Sequence, residues 1–209
     1  EVLKEVKSTV LKKMRCDENT VVNAVITYPA YFHGNQIEDT KQAGINAGLN
    51  VLRLVPEPMA AAIFALKEFD QRKKILIVDL GGGTFDLSLM EADIANNSYR
   101  TIDLDGDPKL GGDDFDELIM NYFKDCILDE TGVDLTSHKA SGFGFDEYST
   151  AISKLIYLAE EAKIELSSVE EHEIDEPTLF VYGGKDYDLN MSLSRDRFNH
   201  ICQPLYERI

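Results

Sequence analysis

The sequence has few of the residues and segments that mark several common classes of protein. No apolar run approaches the roughly 20 residues that a membrane-spanning helix needs, and residues 1–14 are amphipathic rather than typical of a signal peptide. The three cysteines, Cys16, Cys126 and Cys202, lie far apart and lack the spacing of metal ligands. These absences argue against a membrane protein, a disulfide framework and a zinc site, and they favour the cytoplasm as the compartment.

Basic residues are scarce as well. The chain has 21 Lys and Arg against 38 Asp and Glu, which gives a formal net charge of -17. Such a surface repels nucleic acids and anionic membranes unless a local basic patch exists, and the two candidate patches, around Lys12 and Lys74, are too small. The four histidines are scattered, so no Ser-His-Asp or Cys-His pairing is supported. We therefore expect neither a nucleic-acid partner nor a membrane partner.

The chain does contain a clear alternation of strand and helix patterns. With 209 residues, of which 44% are hydrophobic, it can form one large domain or two small ones. Its first part predicts an amphipathic helix, a buried strand ending at Pro29, a helix ending at Gly48, a strand, a helix beginning near Pro58, and a strand over residues 75–80. This order is typical of an α/β fold with a largely parallel sheet.

After residue 84 the pattern changes. Residues 85–90 and 98–104 predict successive antiparallel strands. A helix capped by Asp113 or Asp114, a loop over 131–147, a helix over 151–167, a hairpin over 178–193 and a helix capped by Ser194 should follow. We expect two lobes with a boundary near residues 70–74, and an excursion of helices and a hairpin that begins near Gly111.

Three consecutive glycines stand out in "KKILIVDLGGGTFDLSLMEAD", residues 73–93. A tight hairpin needs one or two residues with φ > 0, so a third glycine indicates another requirement, such as close approach of a ligand to the backbone. Because the turn leads into a strand and has no following lysine, a Walker loop and a dinucleotide fingerprint are both excluded. The amides from Gly81 to Thr84 would suit phosphate oxygens, and Asp79 could hold magnesium through water; an ordinary hairpin with a loose tip explains the glycines equally well.

Two further patterns each allow a binding site and a simpler explanation. Gly111 and Gly112 precede a predicted helix, where an anion can meet free amides. A simpler explanation, which the pattern favours, is that Asp113 and Asp114 only cap the helix. Glu160, Lys163 and Ser167 follow i, i+3, i+7 spacing on one helix and could face a single polar ligand. A surface ion pair between Glu160 and Lys163 accounts for that spacing too.

Glu57 lies between two prolines where a strand passes into a helix. A carboxylate fixed there could orient a water or transfer a proton. It could equally be a negative charge that the helix dipole favours at the N-terminus.

Five motifs, taken in order, resemble the nucleotide-binding domain of the seventy-kilodalton heat-shock chaperones. They are "AVITYPAYF", "AGLNVLRLVPEPMAAAI", "DLGGGTFDLSLMEAD", "DGDPKLGGDDFDELI" and "AEEAKIELSS". The last is similar to the bacterial DnaK branch, with Ile164 where many eukaryotic relatives have arginine. The resemblance extends over nearly the whole chain, and five motifs in family order outweigh the simpler explanations of each one.

This resemblance implies a partial actin-like (ribonuclease H-like) ATPase fold with bound ATP or ADP and magnesium. Residues 1–72 would end the first lobe, 73–112 would form the core of the second, and 113–209 its upper subdomain of helices and a hairpin. Glu57, Asp79 and Thr84 would be catalytic, with Asp79 also holding magnesium through water. The nucleotide-binding residues would be Gly81, Gly82, Gly83, Thr84, Gly111, Gly112, Asp113, Glu160, Lys163 and Ser167.

The resemblance also implies partners and a function for a longer parent protein. These are slow ATP hydrolysis that drives a chaperone cycle, a J-domain co-chaperone, a nucleotide exchange factor, and unfolded clients bound through a domain absent here. Pro29 matches a proposed switch and Arg53 a co-chaperone surface, and Asp86 follows in the glycine motif. Because part of the family's phosphate site is missing, we expect the chain alone to be inactive.

Departures from the family pattern leave two alternatives. Ile37, Pro56, Met59 and Pro108 replace an arginine, an asparagine and two threonines of the family. These changes put in doubt the coupling of ATP state to a substrate domain. A non-catalytic scaffold that binds nucleotide or co-chaperones is therefore the first alternative, and a sugar kinase of the same fold is a more distant one.

Overall fold

The structure is a computed structural model that describes residues 1–66, 73–96 and 98–209. These residues form two compact units. The first unit comprises Glu1–Asp79 and Asp86–Gly106, and the second comprises Leu80–Phe85 and Asp107–Ile209. The lobe boundary expected near residues 70–74 falls largely outside the described residues, and the division at residues 72 and 112 stays a prediction.

The first unit contains most of the predicted strand and helix alternation. Its elements are α1 (Val2–Met14), β1 (Val22–Tyr28), α2 (Gly34–Asn46), β2 (Leu49–Pro56), α3 (Glu57–Ala65), β3 (Lys73–Leu80), β4 (Phe85–Asp93), a short 3-10 turn (Ile94–Asn96) and β5 (Ser98–Asp107). The last residue of β3 and the end residues of β4 and β5 pass into the second unit. The fold is α/β, as the sequence predicts.

Strands β1 and β2 pair in parallel from Val22 opposite Leu49 to Tyr28 opposite Pro56, with a shift of register between Ala24 and Val25. Helix α2 connects them and packs closely on the pair at Gly44, because a β-carbon there would lie 2.8 Å from the side chain of Val51. The helix ends at the predicted place, with Gly48 at φ +76°, a conformation that glycine adopts without strain.

Two expectations for this unit are wrong. Strand β3 does not extend the parallel pair; among the described residues it belongs to a separate sheet in the order β3-β4-β5. Strand β1 is also not fully buried, since its residues alternate between exposed and partly buried and Val25 is 59% exposed. Periodicity identified the strands, but it contains no information on which faces the rest of the protein covers.

The second unit carries the glycine turn and the larger core. Its elements after β5 are α4 (Gly112–Thr131), α5 (His138–Ser141), α6 (Phe145–Glu165), β6 (Glu171–Tyr182), β7 (Lys185–Ser194) and α7 (Arg195–Tyr206). The apolar faces of α4 and α6 meet the β6-β7 hairpin around Phe123, Leu155 and Leu193, none of which is exposed to solvent. Burial of these side chains is the main stabilising term of this unit.

The hairpin and the last helix agree with the sequence. Strands β6 and β7 are antiparallel, with Tyr182 opposite Lys185 across a turn formed by Gly183 and Gly184. The Ser194 hydroxyl accepts a hydrogen bond from the amide of Arg197 at 3.2 Å. The predicted loop over 131–147 is only partly a loop, because it contains α5 and the first residues of α6. No helix among the described residues has both the length and the apolar character needed to cross a bilayer.

Candidate functional site

The three glycines form the turn between β3 and β4. The amide of Gly81 donates a hydrogen bond to the carbonyl of Thr84 at 2.8 Å, which closes the turn. None of Gly81, Gly82 and Gly83 has a φ in the left-handed region. These three glycines are therefore not required by a left-handed backbone, and a β-carbon on any of them would meet no heavy atom closer than 3.4 Å.

The turn packs against the beginning of α4, where Gly111 is the glycine that close contact requires. The amide of Gly112 donates to the carbonyl of Gly81 at 2.8 Å, and the amide of Asp113 donates to the carbonyl of Gly82 at 2.7 Å. A β-carbon on Gly111 would lie within 3.0 Å of backbone atoms of Gly82 and Gly83. Two backbone segments thus meet with no room for a side chain between them.

The same contact changes which amides are free. The amides of Gly81 and Gly112, expected to face a ligand, already have carbonyl partners. The amide of Gly111 donates to the carboxylate of Asp114 at 2.8 Å, so the N-cap is Gly111 and the predicted aspartate cap is wrong. Within the described parts of the chain, no acceptor lies against the amides of Gly82 and Gly83. These two donors at the tip of the turn are the ones available to an anion.

Helix α6 presents Glu160 and Lys163 beside this turn, whereas Ser167 lies in the turn that follows the helix end at Glu165 and not on the helix as predicted. Lys163 donates to the carboxylate of Asp116 at 2.6 Å and to the carbonyl of Gly112 at 3.2 Å. Its ion pair is thus with Asp116 on α4, and the alternative pairing with Glu160 is not formed. The Ser167 hydroxyl donates to the carbonyl of Ile164 at 2.6 Å, at the exposed end of the helix.

One cavity of about 800 Å³ brings these residues together within the second unit. Of the predicted binding residues, it is lined by Gly81, Gly82, Gly112, Asp113, Glu160, Lys163 and Ser167. Gly83, Thr84 and Gly111 adjoin it through the turn but are not part of its lining. Its remaining walls are Leu80, Phe115, Asp116, Leu166, Arg195, Phe198, Asn199, Tyr206 and Ile209.

Asp116 is the most buried ionisable group of the cavity. Its Oδ1 atom is buried and has no hydrogen-bond partner among the described residues, so Lys163 is its principal partner. Burial raises the pKa of Asp116, and the nearby charges of Glu160 and Asp113 raise it further, while the Lys163 hydrogen bond acts in the opposite direction. Burial beside this carboxylate also raises the pKa of the Cys202 thiol to about 12, which makes it an unreactive core residue.

Arg195, the first residue of α7, holds the end of α6 at the edge of the cavity. Its guanidinium donates to the carbonyls of Leu166 and Val169 at 2.8 and 2.7 Å and pairs with the carboxylate of Glu170. Its backbone amide donates to the carbonyl of Glu170 at 2.8 Å. A cation at this place satisfies carbonyls that a helix end leaves without partners.

The predicted catalytic carboxylates lie in the first unit. Glu57 is the first residue of α3 and is partly buried. Burial raises its pKa, and the charges of Asp79 and Asp86 raise it further, so these three carboxylates form one acidic group. Within the described ranges, no set of three or more Asp, Glu, His and Cys residues is arranged to hold a metal ion directly, and magnesium held by Asp79 through water stays a prediction.

The other family-matched positions also belong to the first unit. Arg53 is exposed on β2 and lines a separate cavity with Met59 and Ile63, whereas Pro29 directly follows β1. The roles that the resemblance implies for Pro29 and Arg53 stay predictions.

Sequence reasoning missed Asp116 and Arg195. One signal was present for Asp116: it lies three and seven residues before Ile119 and Phe123, on the apolar face of α4, where an acidic residue needs a partner. For Arg195 no local pattern exists, because its partners lie about 25–29 residues away in the chain.

The sequence was compared with models of protein families. The model described as Hsp70 protein matches residues 1–209, which is the entire chain. The match agrees with the order of the five motifs along the sequence. The chain therefore belongs to the Hsp70 family.

Proposed function

We propose that the cavity of the second unit binds ATP and ADP, with the glycine turn receiving phosphates and the exposed face of α6 receiving the adenosine. Hsp70 proteins are ATP-binding chaperones that work with co-chaperones and client proteins. For this chain, the proposal assigns phosphate contacts to Gly81, Gly82, Gly83 and Thr84, close approach to Gly111, Gly112 and Asp113, and adenosine contacts to Glu160, Lys163 and Ser167.

One observation supports the proposal above the others. Gly81 and Gly82 line the same cavity as Glu160, Lys163 and Ser167, although almost 80 residues separate the two groups in the sequence. An ordinary hairpin tip or an isolated surface ion pair gives no reason for this convergence. A ligand with an anionic end and a polar, hydrogen-bonding end does.

The residues present fit such a ligand. The amides of Gly82 and Gly83 are donors without a protein acceptor among the described residues, and Lys163 uses two of its three N–H groups on Asp116 and Gly112. A volume of about 800 Å³ lies within the roughly 300–1,000 Å³ typical of ligand pockets. Phe115, Phe198 and Tyr206 supply apolar wall on which a flat base can pack.

Hydrolysis by this family member would rest on positioning and electrostatics. Bound magnesium would supply charge neutralisation at the phosphates. Glu57 and Asp79 are proposed to orient water and the metal's water shell, and Thr84 to fix the end of the phosphate turn. We further propose an actin-like, ribonuclease H-like arrangement, a DnaK-like parent protein in the cytoplasm, and J-domain and exchange-factor partners.

Titration of magnesium-ATP and magnesium-ADP into the full-length protein by calorimetry, together with steady-state phosphate release, tests the proposal. Lys163→Met should weaken nucleotide binding by about tenfold or more, because it removes a cationic donor from the cavity. Lys154→Met is the matched control. Lys154 lies on the same helix, but it does not line the cavity, and its ammonium forms an ion pair with Glu176 at 2.7 Å. It should leave nucleotide affinity unchanged.

The outcomes separate the candidate functions. Nucleotide binding with slow phosphate release supports an ATPase. Binding without turnover supports the non-catalytic scaffold. That alternative is based on Ile37, Pro56, Met59 and Pro108, where the sequence departs from the family pattern. ATP-dependent phosphorylation of an added sugar would support the kinase. Equal loss of affinity in Lys163→Met and Lys154→Met, or no binding by the unsubstituted protein, would contradict the proposed site.

A further inference from the structure

We infer that Asp116 is a positioning residue of the nucleotide site: it holds the ammonium group of Lys163 at the cavity wall, and its removal weakens nucleotide binding through Lys163. This inference rests on the proposed function, since it presumes that Lys163 contacts the ligand. It adds a residue that makes no proposed ligand contact of its own.

The geometry supports a holding role. Asp116 and Lys163 lie on different helices, α4 and α6, and their 2.6 Å ion pair joins two of the elements that line the cavity. The side chain of Asp116 is only 12% exposed and that of Lys163 is 24% exposed, so solvent screens this pair less than a surface pair. A second bond, from Lys163 to the carbonyl of Gly112, fixes the same ammonium from the other side.

Lysine needs such support more than most side chains do. Its side chain has four rotatable carbon bonds, and ordering such a side chain costs free energy. When a ligand has to order the side chain on binding, this cost reduces the affinity. With two donors engaged by Asp116 and Gly112, the ammonium is already ordered and one donor remains. Preorganisation of this donor is the contribution that we assign to Asp116.

A purely electrostatic view gives the opposite prediction, which makes the inference testable. The cavity contains three carboxylates, Asp113, Asp116 and Glu160, and an anionic ligand is repelled by each. If Asp116 acted only through its charge, neutralising it would tighten nucleotide binding. If it positions Lys163, neutralising it must weaken binding, because asparagine forms only a neutral hydrogen bond to the ammonium.

The test is a double-mutant cycle on the full-length protein, with magnesium-ADP affinity measured by calorimetry. Asp116→Asn should raise the dissociation constant by about threefold to tenfold, the equivalent of immobilising one long side chain. In a Lys163→Met background the same substitution should have no further effect, because the residue through which it acts is gone. Asp125→Asn, an exposed position on the same helix, is the control and should leave affinity unchanged.

Thermal unfolding of each variant identifies loss of fold. Tighter binding by Asp116→Asn, unchanged binding, or an equal loss with and without Lys163 would overturn the inference, because each indicates a role other than positioning Lys163. Should the unsubstituted protein fail to bind ADP, the proposed function fails as well. Normal binding that Lys163→Met weakens and Asp116→Asn does not would overturn only the inference.

Discussion

Gly111 and Gly82 meet backbone to backbone, with no space for a β-carbon on Gly111. Two hydrogen bonds next to this contact, from the amide of Gly112 to the carbonyl of Gly81 and from the amide of Asp113 to the carbonyl of Gly82, hold the glycine turn on the first residues of α4. The turn is therefore a fixed part of the cavity wall instead of a loose hairpin tip. The amides of Gly82 and Gly83, which have no acceptor among the described residues, are consequently held in place before any ligand arrives.

Gly111→Ala and Gly83→Ala should separate the packing role of these glycines from the binding role. The first substitution forces the turn away from α4 and should cost roughly 1–3 kcal/mol of unfolding free energy, as overpacking does. The second meets no heavy atom within 4 Å and should change stability by less than about 0.5 kcal/mol. Urea unfolding followed by circular dichroism measures both.

Nucleotide affinity completes that comparison. Gly83→Ala places a methyl group at the tip where phosphate oxygens are proposed to approach, so affinity for magnesium-ADP should fall while stability does not. An affinity equal to that of the unsubstituted protein would show that the ligand does not approach Gly83. A stable Gly111→Ala protein would show that the contact with Gly82 is looser than described.

Local features were predicted well from the sequence. The hairpin at Gly183, the hydroxyl cap at Ser194 and the helix end at Gly48 each depend on residues within about four positions, and all three are present. The same holds for the strands on either side of the three glycines. Such features can be predicted from the sequence because the interactions that form turns and caps join residues that are close in the chain.

Features that depend on distant partners were missed. The amide of Gly81 was expected to be free, yet the closure of the turn on Thr84 uses it, and the helix amides next to Gly111 are used by the turn. Asp116 and Lys163 pair across 47 residues, and periodicity does not specify which two helices meet. The convergence of glycines and α6 residues on one cavity was anticipated only through the family resemblance.

Substitution of Arg195 should loosen the end of α6. Arg195→Ala removes the donors to Leu166 and Val169 and the ion pair with Glu170, and should cost about 1–3 kcal/mol because carbonyls at the helix end lose their partners. Amide hydrogen exchange should increase over residues 166–170. Arg195→Lys keeps the charge but not the planar guanidinium, so its unfolding free energy should lie between those of the unsubstituted protein and Arg195→Ala.

Arg197→Ala is the control for Arg195. The Arg197 guanidinium lies 4.9 Å from the ring centroid of Tyr122, and among the described residues it makes no hydrogen bond to the end of α6. Its loss should cost about 0.5–1 kcal/mol, with no change in exchange over 166–170. Equal exchange in the two alanine variants would contradict a specific role for Arg195.

The pKa of Glu57 gives a prediction about pH. Burial first, and then Asp79 and Asp86, raise it above the ordinary value of 4.5, so the folded state holds the proton more tightly than the unfolded state. The contribution of Glu57 to stability is therefore fully present below pH 4.5 and is lost as pH rises through the raised pKa. Because glutamine does not ionise, Glu57→Gln does not lose this contribution as pH rises.

Glu57→Gln should accordingly match the unsubstituted protein below pH 4.5 and exceed its unfolding free energy at neutral pH. Urea unfolding at a series of pH values measures the difference. In an Asp79→Asn background the gain should be smaller, since one of the repelling charges is absent. A gain that is independent of pH would rule out the titration of Glu57 as its cause.

Thr178 should be a position where stability can be increased. It has φ +49° at the irregular point of the β6-β7 pairing, and a β-branched residue is strained in that conformation. Its backbone amide and carbonyl, bonded to Asp188 and Lys154, do not depend on its side chain. Thr178→Gly should raise the unfolding free energy by about 0.5–1 kcal/mol, because relief of strain exceeds the added entropy of the unfolded chain. Thr178→Ala, which still carries a β-carbon, should gain less, and equal urea midpoints for the two variants would indicate that the left-handed backbone is not the source of the strain.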